Sequence, residues 1–352
     1  MEVRAVDCCQ DLSGRNSQGV GRRTFLRGML GGAFGVLMAS GVPLQAGAQA
    51  KKIRLAFCSQ LLCIVPYEVA RARGHFQAEG LDVELIYTRG GTAAMQAMIG
   101  GAVEYAATSF DVALSAFARG AQVRRFASTG RLPLFALATS PSRAREIPSL
   151  KELEDRTVGV SALGNADPVL ALYLLKQAGA DVRKVRFAIL GPNLFDALRL
   201  GQIDAGMVQE PALSLLAESG ARVLMNAMDL EDARKHLGGP YEFMGVAFRA
   251  GEREARLEEM RRLARALEKG LQATHALPAA AVADALPKEA IAGGDKARIV
   301  AILERYRGSL YPSGVKIDVE ACVRVADSQK AAGILGADVD ARKVLDLSIA
   351  GS

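Results

Sequence analysis

Two stretches of this 352-residue chain repeat one another exactly one hundred residues apart, and this constrains the fold more than any other feature. Residues 97–123 and 197–223 align without gaps, and each reads as helix, Gly, apolar residue, acid, strand, helix and Gly. The identical pairs are Ala97/Ala197, Gly101/Gly201, Gly120/Gly220, Ala121/Ala221 and Val123/Val223, and the similar pairs include Glu104/Asp204. We therefore expect two related lobes.

Strands and helices alternate through both halves of the chain. Apolar runs predict strands at 53–57, 81–87, 103–107, 123–127, 135–139, 157–160 and 185–190. Pro66 suits the first turn of one helix, and Asp167 with Pro168 reads as the N-cap and first turn of another. This alternation is typical of parallel α/β sheets.

The pattern changes after residue 243. A strand is predicted at 244–248, followed by helices at 252–269, 295–307 and 318–332. This tail is too helical to form a third sheet, so we expect it to pack on the first lobe. Lobe 1 would then hold 51–139 and 245–352, and lobe 2 would hold 140–244. The chain would cross between the lobes near 138–141 and near 241–247, and two crossings form a hinge.

The first 50 residues read as an export signal. Arg22 and Arg23 precede a weakly apolar run and the small-residue pattern at 48–50, an order typical of a cleavable signal of the twin-arginine type. Gly21 departs from that pattern, which usually has Ser or Thr there. A single membrane anchor is the alternative. We expect a periplasmic protein that folds before export.

Composition excludes several classes of function. Residues 51–352 hold 39 basic and 35 acidic residues, a formal charge of +4, without a basic run among aromatics, so nucleic-acid binding is not expected. The three histidines show no spacing typical of a metal site or a catalytic triad, so we expect no metal and no cofactor. Cys322 fits a buried thiol. Cys58 and Cys63 leave open a disulfide, free thiols or metal ligation.

Several segments carry a family resemblance. They are KIRLAF, AxxxGHFQAEGLDVEL, RGGTAAMQAMIGGAVEYA, IPSLKELEDRTVGVS and ALRLGQIDAGMVQEPAL, with SQKAAGILGADVDARKVLD in the tail. In this order they resemble the periplasmic solute-binding proteins of ABC importers, of the nitrate/sulfonate/taurine and thiamine-pyrimidine-precursor type. The resemblance implies a type II two-lobe α/β fold with a ligand cleft, closure on a small molecule, delivery to an inner-membrane permease, a monomer and no catalysis. A periplasmic sensor or accessory binding protein, or an enzyme of pyrimidine-precursor synthesis, are the alternatives.

Candidate ligand residues follow from the strand ends. In open α/β sheets, ligands bind beyond the carboxyl ends of the strands. This rule selects Ser59, Gln60, Gly91, Thr92, Ser109 and Phe110 in the first half, and Ser161, Gly164, Asn165, Gln209 and Glu210 in the second. Ser109 and Gln209 are equivalent in the repeat. Thr92 is otherwise only a helix cap, and Glu210 either holds a ligand donor or braces the hinge.

The charge of the ligand stays open at this point. Helix N-termini favour anions such as sulfonate, nitrate or carboxylate. Asp167 as a cap would repel an anion and favour a neutral or cationic amino heterocycle. If Asp167 points away, the amides of Gly164 and Asn165 face the ligand instead. Because the chain has no Trp, aromatic stacking would come from Phe110, Tyr67, Tyr241 or Phe243.

Export is directly testable. Replacing Arg22→Lys together with Arg23→Lys should leave precursor in the cytoplasm, because the twin-arginine route reads this pair. Immunoblots of cytoplasmic and periplasmic fractions measure the effect, with Arg4→Lys plus Arg15→Lys as the matched control. Normal periplasmic accumulation of the first variant would contradict the twin-arginine interpretation.

Overall fold

The computed structural model describes residues 52–291 and 295–350, which form two five-stranded sheets flanked by helices. The predicted export signal, with Arg22 and Arg23, lies outside these residues. The strands are β1 (Lys52–Cys58), β2 (Asp82–Thr88), β3 (Tyr105–Ser109), β4 (Val123–Ser128), β5 (Ala136–Thr139), β6 (Thr157–Val160), β7 (Arg186–Ile189), β8 (Ala205–Val208), β9 (Val223–Asn226) and β10 (Met244–Arg249).

The helices pack against the strands and against one another. They are α1 (Leu61–Ala72), α2 (His75–Ala78), α3 (Gly91–Ile99), α4 (Phe110–Ala118), α5 (Ala166–Gln177), α6 (Leu194–Arg199), α7 (Ala212–Glu218), α8 (Leu230–Leu237), α9 (Arg253–Ala276), α10 (Ala279–Asp284), α11 (Lys288–Ile291), α12 (Lys296–Leu310) and α13 (Val319–Ala332). Among the described residues, every helix is too short or too polar to cross a bilayer.

The two sheets share one topology. Their strand orders are β2-β1-β3-β10-β4 and β7-β6-β8-β5-β9. In each, three parallel strands are followed by one antiparallel strand, β10 or β5, which is the first strand after a crossing. The predicted crossing near 138–141 is wrong, because β5 forms its ladders with β8 and β9. The first crossing is residues 129–135, so the proposed end of lobe 1 moves from 139 to before Ala136.

The repeated acid of the two halves has the same structural role in each sheet. Glu104 Oε2 accepts a hydrogen bond from the backbone N–H of Arg54 on β1, at 2.8 Å. Asp204 Oδ2 accepts one from the backbone N–H of Thr157 on β6, also at 2.8 Å. Each carboxylate therefore accepts a hydrogen bond from a backbone N–H of the neighbouring strand, one residue before its own strand begins. The repeated acids join two strands of each sheet, and neither lines the cavity described below.

Helix α1 begins earlier than predicted. It starts at Leu61, so Pro66 lies inside the helix and not in its first turn. Proline has no N–H, which frees the carbonyl of Leu62 four residues earlier. The Tyr311 hydroxyl donates to that carbonyl at 2.8 Å and replaces the lost bond. Helix α9 packs closely here, since a Cβ on Gly270 would lie 2.7 Å from the Pro66 carbonyl oxygen.

The two crossings run side by side and are joined by backbone hydrogen bonds. The N–H of Thr129 donates to the carbonyl of Met244 at 2.8 Å, and that of Phe243 donates to Gly130 at 2.9 Å. The N–H of Tyr241 donates to Arg131, also at 2.9 Å. The residues that link the sheets therefore form a short paired ribbon and not two separate loops.

Arg125 on β4 anchors this ribbon from inside the first sheet. Its fully buried guanidinium pairs with Glu242 at 3.0 Å and donates to the Phe243 carbonyl at 2.8 Å. It also lies over the Phe110 ring, 5.6 Å from the centroid. Burial raises the pKa of Glu242 to about 7, against the opposing effect of Arg125. Only glycine fits at 245, because a Cβ there would lie 2.1 Å from Arg125 Nη2.

The Tyr311 bond gives a stability prediction. Tyr311→Phe removes only the hydroxyl and leaves the buried Leu62 carbonyl without a donor, which should lower the free energy of unfolding by about 1–3 kcal/mol. Chemical denaturation measures this, with Tyr173→Phe as the control because its hydroxyl makes no hydrogen bond within the described residues. Equal stability of the two variants would show that the carbonyl is satisfied in another way.

Candidate functional site

A cavity of about 230 Å³ lies between the two sheets and is lined from both. Its walls contain residues at or just after the carboxyl ends of β1, β2, β3, β6, β7 and β8, where the strand-end rule places ligands. Seven of the sequence-predicted residues line it: Gln60, Gly91, Ser109, Ser161, Asn165, Gln209 and Glu210. The other four, Ser59, Thr92, Phe110 and Gly164, do not.

Each of these four residues has another place in the structure. Ser59 is exposed beside the cavity. Phe110 is fully buried beneath the Arg125 guanidinium, so it belongs to the core of the first sheet and cannot stack on a ligand. Thr92 Oγ1 donates to the Gly164 carbonyl at 2.7 Å, and this bond joins one half of the site to the other.

Thr92 and Asn165 form a latch across the rim of the cavity. Besides the bond to Gly164, the backbone N–H of Thr92 faces Asn165 Oδ1 at 3.5 Å. Gly90 lies against the same amide, since a Cβ on Gly90 would be 2.9 Å from Asn165 Nδ2. The cavity is therefore closed on this side by contacts within the protein.

Three polar side chains in the cavity wall have hydrogen-bonding capacity to spare. Ser109 and Gln209, at equivalent places in the repeat, make no side-chain hydrogen bond to any described residue. Thr108 is 1% exposed, and its Oγ1 likewise lacks a partner among the described residues. Gly91 leaves room for that hydroxyl, because a Cβ there would lie 2.2 Å from it. A buried polar group without a partner costs about 1–3 kcal/mol, which a ligand can recover.

Asp167 does not cap its helix, contrary to the prediction. The N-cap of α5 is Asn165, and Asp167 lies within the first turn. Its buried carboxylate turns back and accepts from both the backbone N–H and the hydroxyl of Ser161, each at 2.6 Å. Burial raises its pKa to about 6, partly offset by these bonds. Asp167 does not line the cavity, as the third of the alternatives above expected, and of its two amide residues Asn165 lines the cavity whereas Gly164 does not.

Two charged residues line the cavity, Arg89 and Glu210. The Glu210 carboxylate accepts from the backbone N–H and hydroxyl of Ser214, both at 3.0 Å, so its charge is already hydrogen-bonded. Arg89 is exposed, and its guanidinium has no hydrogen bond or ion pair with any described residue. Sequence reasoning missed Arg89, although it directly precedes Gly90 at the end of β2.

Apolar side chains complete the walls. Phe135 and Phe243, one on each crossing, meet edge to face with centroids 6.0 Å apart. Of the predicted stacking residues only Phe243 reaches the cavity. The Tyr67 hydroxyl bonds Thr129, and the Tyr241 hydroxyl bonds Asp111 in the core. Phe135 was missed because the predicted strand at 135–139 placed it within a sheet.

The three cysteines that the structure describes are free thiols. Cys58 and Cys63 both line the cavity and are not joined by a disulfide, while Cys322 is fully buried. The two thiols affect each other, since Cys63 lowers the pKa of Cys58 and Cys58 raises the pKa of Cys63. Among the described residues, no three His, Cys, Asp or Glu side chains come together in a group that could hold a metal ion.

The buried Asp167 gives a pH prediction. Its pKa rises on folding from 3.8 to about 6, so the native state binds the proton more tightly and stability falls as pH rises from about 4 to about 6. Asp167→Asn should remove part of that slope, on the order of 1–3 kcal/mol between these limits. Denaturation curves across this range measure it, with the exposed Asp82→Asn as control. Parallel profiles for Asp167→Asn and the native chain would contradict the assignment.

The comparisons with known proteins agree with this architecture. The family model described as NMT1/THI5 like matches residues 63–281. A structure from Bordetella bronchiseptica RB50 is 25% identical with a TM-score of 0.76, over 86% of this chain and 96% of that one. The alkanesulfonate-binding protein SsuA from Xanthomonas axonopodis pv. citri, bound to MOPS, is 18% identical with a TM-score of 0.66, over 85% and 99%.

A third structure, the periplasmic nitrate-binding protein NrtA from Synechocystis PCC 6803, is 13% identical with a TM-score of 0.65, over 86% and 87%. No curated protein sequence matches the chain. The likeness to these structures confirms the predicted α/β fold of the periplasmic binding proteins, with two sheets around a cleft. Because the family model spans more than half of its length, the chain belongs to the NMT1/THI5-like family.

Proposed function

We propose that this protein is the periplasmic solute-binding subunit of an ABC importer, which captures a small organic anion in the cavity and delivers it to an inner-membrane permease. The observation that carries the proposal is the cavity between two sheets that are linked by a paired hinge. The neighbours SsuA and NrtA are named as an alkanesulfonate-binding and a nitrate-binding protein, which supports a role of the same kind.

The charges in the cavity support an anionic ligand. Arg89 lines the cavity and has no partner among the described residues, whereas the Glu210 carboxylate is already bonded to Ser214. Asp167 is bonded to Ser161 and does not line the cavity, so its carboxylate makes no direct contact with an anion there. An arginine fork binds a carboxylate or sulfonate through two parallel N–H donors. An aminopyrimidine would instead need a free carboxylate acceptor.

The remaining walls support a ligand with an apolar body. Phe135, Phe243 and Met207 contribute apolar surface, and the free hydroxyls of Thr108 and Ser109 with the Gln209 amide contribute polar anchors. Pockets of this composition hold small organic molecules and fix their orientation through a few polar groups. We therefore favour a small amphipathic carboxylate or sulfonate over nitrate.

Closure of the hinge would couple binding to delivery. The latch of Thr92, Gly164 and Asn165 forms only when both halves of the site meet. A ligand that touches both walls lowers the free energy of that closed state, and this shifts the population toward it. The permease would then distinguish loaded protein by its closed shape.

We infer a binding role without catalysis. None of the three histidines lies among the cavity-lining residues, and the one carboxylate there is held by Ser214. Among the described residues, neither a histidine nor an unbonded carboxylate is therefore placed against a ligand as a general base. We also propose that the chain is exported by the twin-arginine route and acts as a monomer.

A thermal-shift screen of the purified protein tests the function. The probes are alkyl and aryl sulfonates, alkyl and aryl carboxylates, nitrate and aminopyrimidines. A ligand at a hundredfold excess over its Kd adds about 2.7 kcal/mol of stability, which raises the Tm measurably. We expect hits among the amphipathic anions. Hits confined to aminopyrimidines would contradict the proposed ligand class, and no hit in any class would contradict capture of a small organic solute of these kinds.

Two variants place the ligand in the cavity. Arg89→Gln should weaken binding of the anion at least about tenfold, because it loses a charge-assisted pair. Ser109→Ala with Gln209→Ala should also weaken binding while leaving the fold intact. The matched controls are Arg73→Gln and the exposed pair Gln77→Ala with Ser313→Ala, none of which lines the cavity. Unchanged affinity in both test variants would place the ligand elsewhere.

A further inference from the structure

Two thiols in the wall of the cavity have no role in the proposed capture of an anion. Cys58 is the last residue of β1, and Cys63 lies in the first turn of α1. Both line the cavity, but they differ in access, because Cys58 is half-buried whereas Cys63 is 3% exposed. The pair therefore has one partly exposed and one buried member.

The surroundings make the two sulfurs chemically unequal. Cys58 ends β1 and lies two residues before Gln60, the N-cap of α1. The Cys63 thiol and the backbone N–H of Gln60 lower the pKa of Cys58 against the opposing effect of burial. Cys58, together with burial, raises the pKa of Cys63 well above its ordinary value. The thiolate is the reactive form in thiol–disulfide exchange, and a helix N-terminus favours the thiolate by lowering the pKa of a nearby cysteine.

We propose that Cys58 and Cys63 form a redox-active dithiol in the cavity wall, with Cys58 as the attacking sulfur and Cys63 as the resolving one. The partner is a small-molecule or protein disulfide. The Cys58 thiolate attacks one sulfur of that disulfide, its S–S bond breaks, and one thiolate leaves. Cys63 then loses its proton, and its thiolate attacks the Cys58 sulfur and expels the second thiolate. Two protein thiols are oxidised to a disulfide, and the donor is reduced to two thiols.

Position links this chemistry to the ligand site. Ser59 and Gln60 lie between the two cysteines, and Gln60 lines the cavity. A disulfide between Cys58 and Cys63 would restrict the conformation of the residues between them. It would also remove the S–H donor of Cys63 from the cavity wall. The redox state of the pair would therefore alter ligand affinity, and bound ligand would alter the reduction potential by the same factor. This coupling rests on the proposed function, whereas the exchange chemistry does not.

The test is exchange with oxidised glutathione in the full-length chain. Cys8→Ser and Cys9→Ser remove the two cysteines near the N-terminus, and the buried Cys322 stays as an internal control. The reduced protein is mixed with oxidised glutathione, quenched in acid at intervals and analysed by mass spectrometry and peptide mapping. We expect a Cys58–Cys63 disulfide with only a transient glutathione adduct, and no reaction at Cys322.

Single variants separate the two roles. Cys63→Ser should stop the reaction at one stable adduct on Cys58, because the resolving thiol is gone. Cys58→Ser should slow the reaction at least about tenfold, because Cys63 is buried and protonated. Cys63→Ala should slow alkylation of Cys58 near neutral pH by about fivefold, because the thiol that lowers the pKa of Cys58 is lost. Circular dichroism and thermal unfolding check that each variant folds.

Several results would overturn the proposal. They are stable adducts on both cysteines at once, equal reaction rates for the two single Ser variants, or no exchange in a folded chain. These readouts need no ligand, so the dithiol can fail while the anion screen succeeds, and the reverse also holds. If the disulfide forms but oxidised and reduced protein bind the anion equally, the coupling to the ligand site is wrong and the dithiol chemistry stands.

Discussion

The ion pair between Arg125 and Glu242 fixes the place where the chain returns to the first sheet. Both side chains are buried, and removing one partner of such a pair typically costs about 3–5 kcal/mol, because the other charge is left uncompensated. The same guanidinium holds the Phe243 carbonyl, and Phe243 lines the cavity. One buried arginine thus connects β4, the hinge and the cavity wall. The ribbon is therefore tied to the first sheet at the point where it meets the cavity wall.

Local patterns predicted most of the helices and strands, since each depends on periodicity within a few residues. The repeat also predicted that the halves share one topology, and the matching bonds of Glu104 and Asp204 explain why the acid recurs. The first crossing could not be predicted in the same way. Whether Ala136–Thr139 pairs with β4 or with β8 depends on contacts far along the chain, and both alternatives need the same short apolar run.

The strand-end rule located the cavity, but it could not say which way each side chain points. Phe110 turns under Arg125 into the core, whereas Ser109, one residue earlier, faces the cavity. Asp167 and Asn165 are both residue types that favour the N-cap, and in the structure Asn165 takes that position while Asp167 bonds to Ser161. As a result Asp167 does not line the cavity, whereas Arg89 and Glu210 do. The ligand chemistry therefore depends on rotamers, which a sequence pattern does not specify.

The placement of β10 has a consequence for the order in which the nascent chain can fold. All five strands of the second sheet lie within residues 136–226, so that sheet can be complete while the chain is still on the ribosome. The first sheet contains a gap between β3 and β4 until Met244–Arg249 has emerged. Until then the Arg125 guanidinium has neither Glu242 nor the backbone of β10 around it. The first three strands of the first sheet are therefore synthesised before the second sheet, but the first sheet is completed after it. Its completion waits for the synthesis of β10, which follows the second crossing.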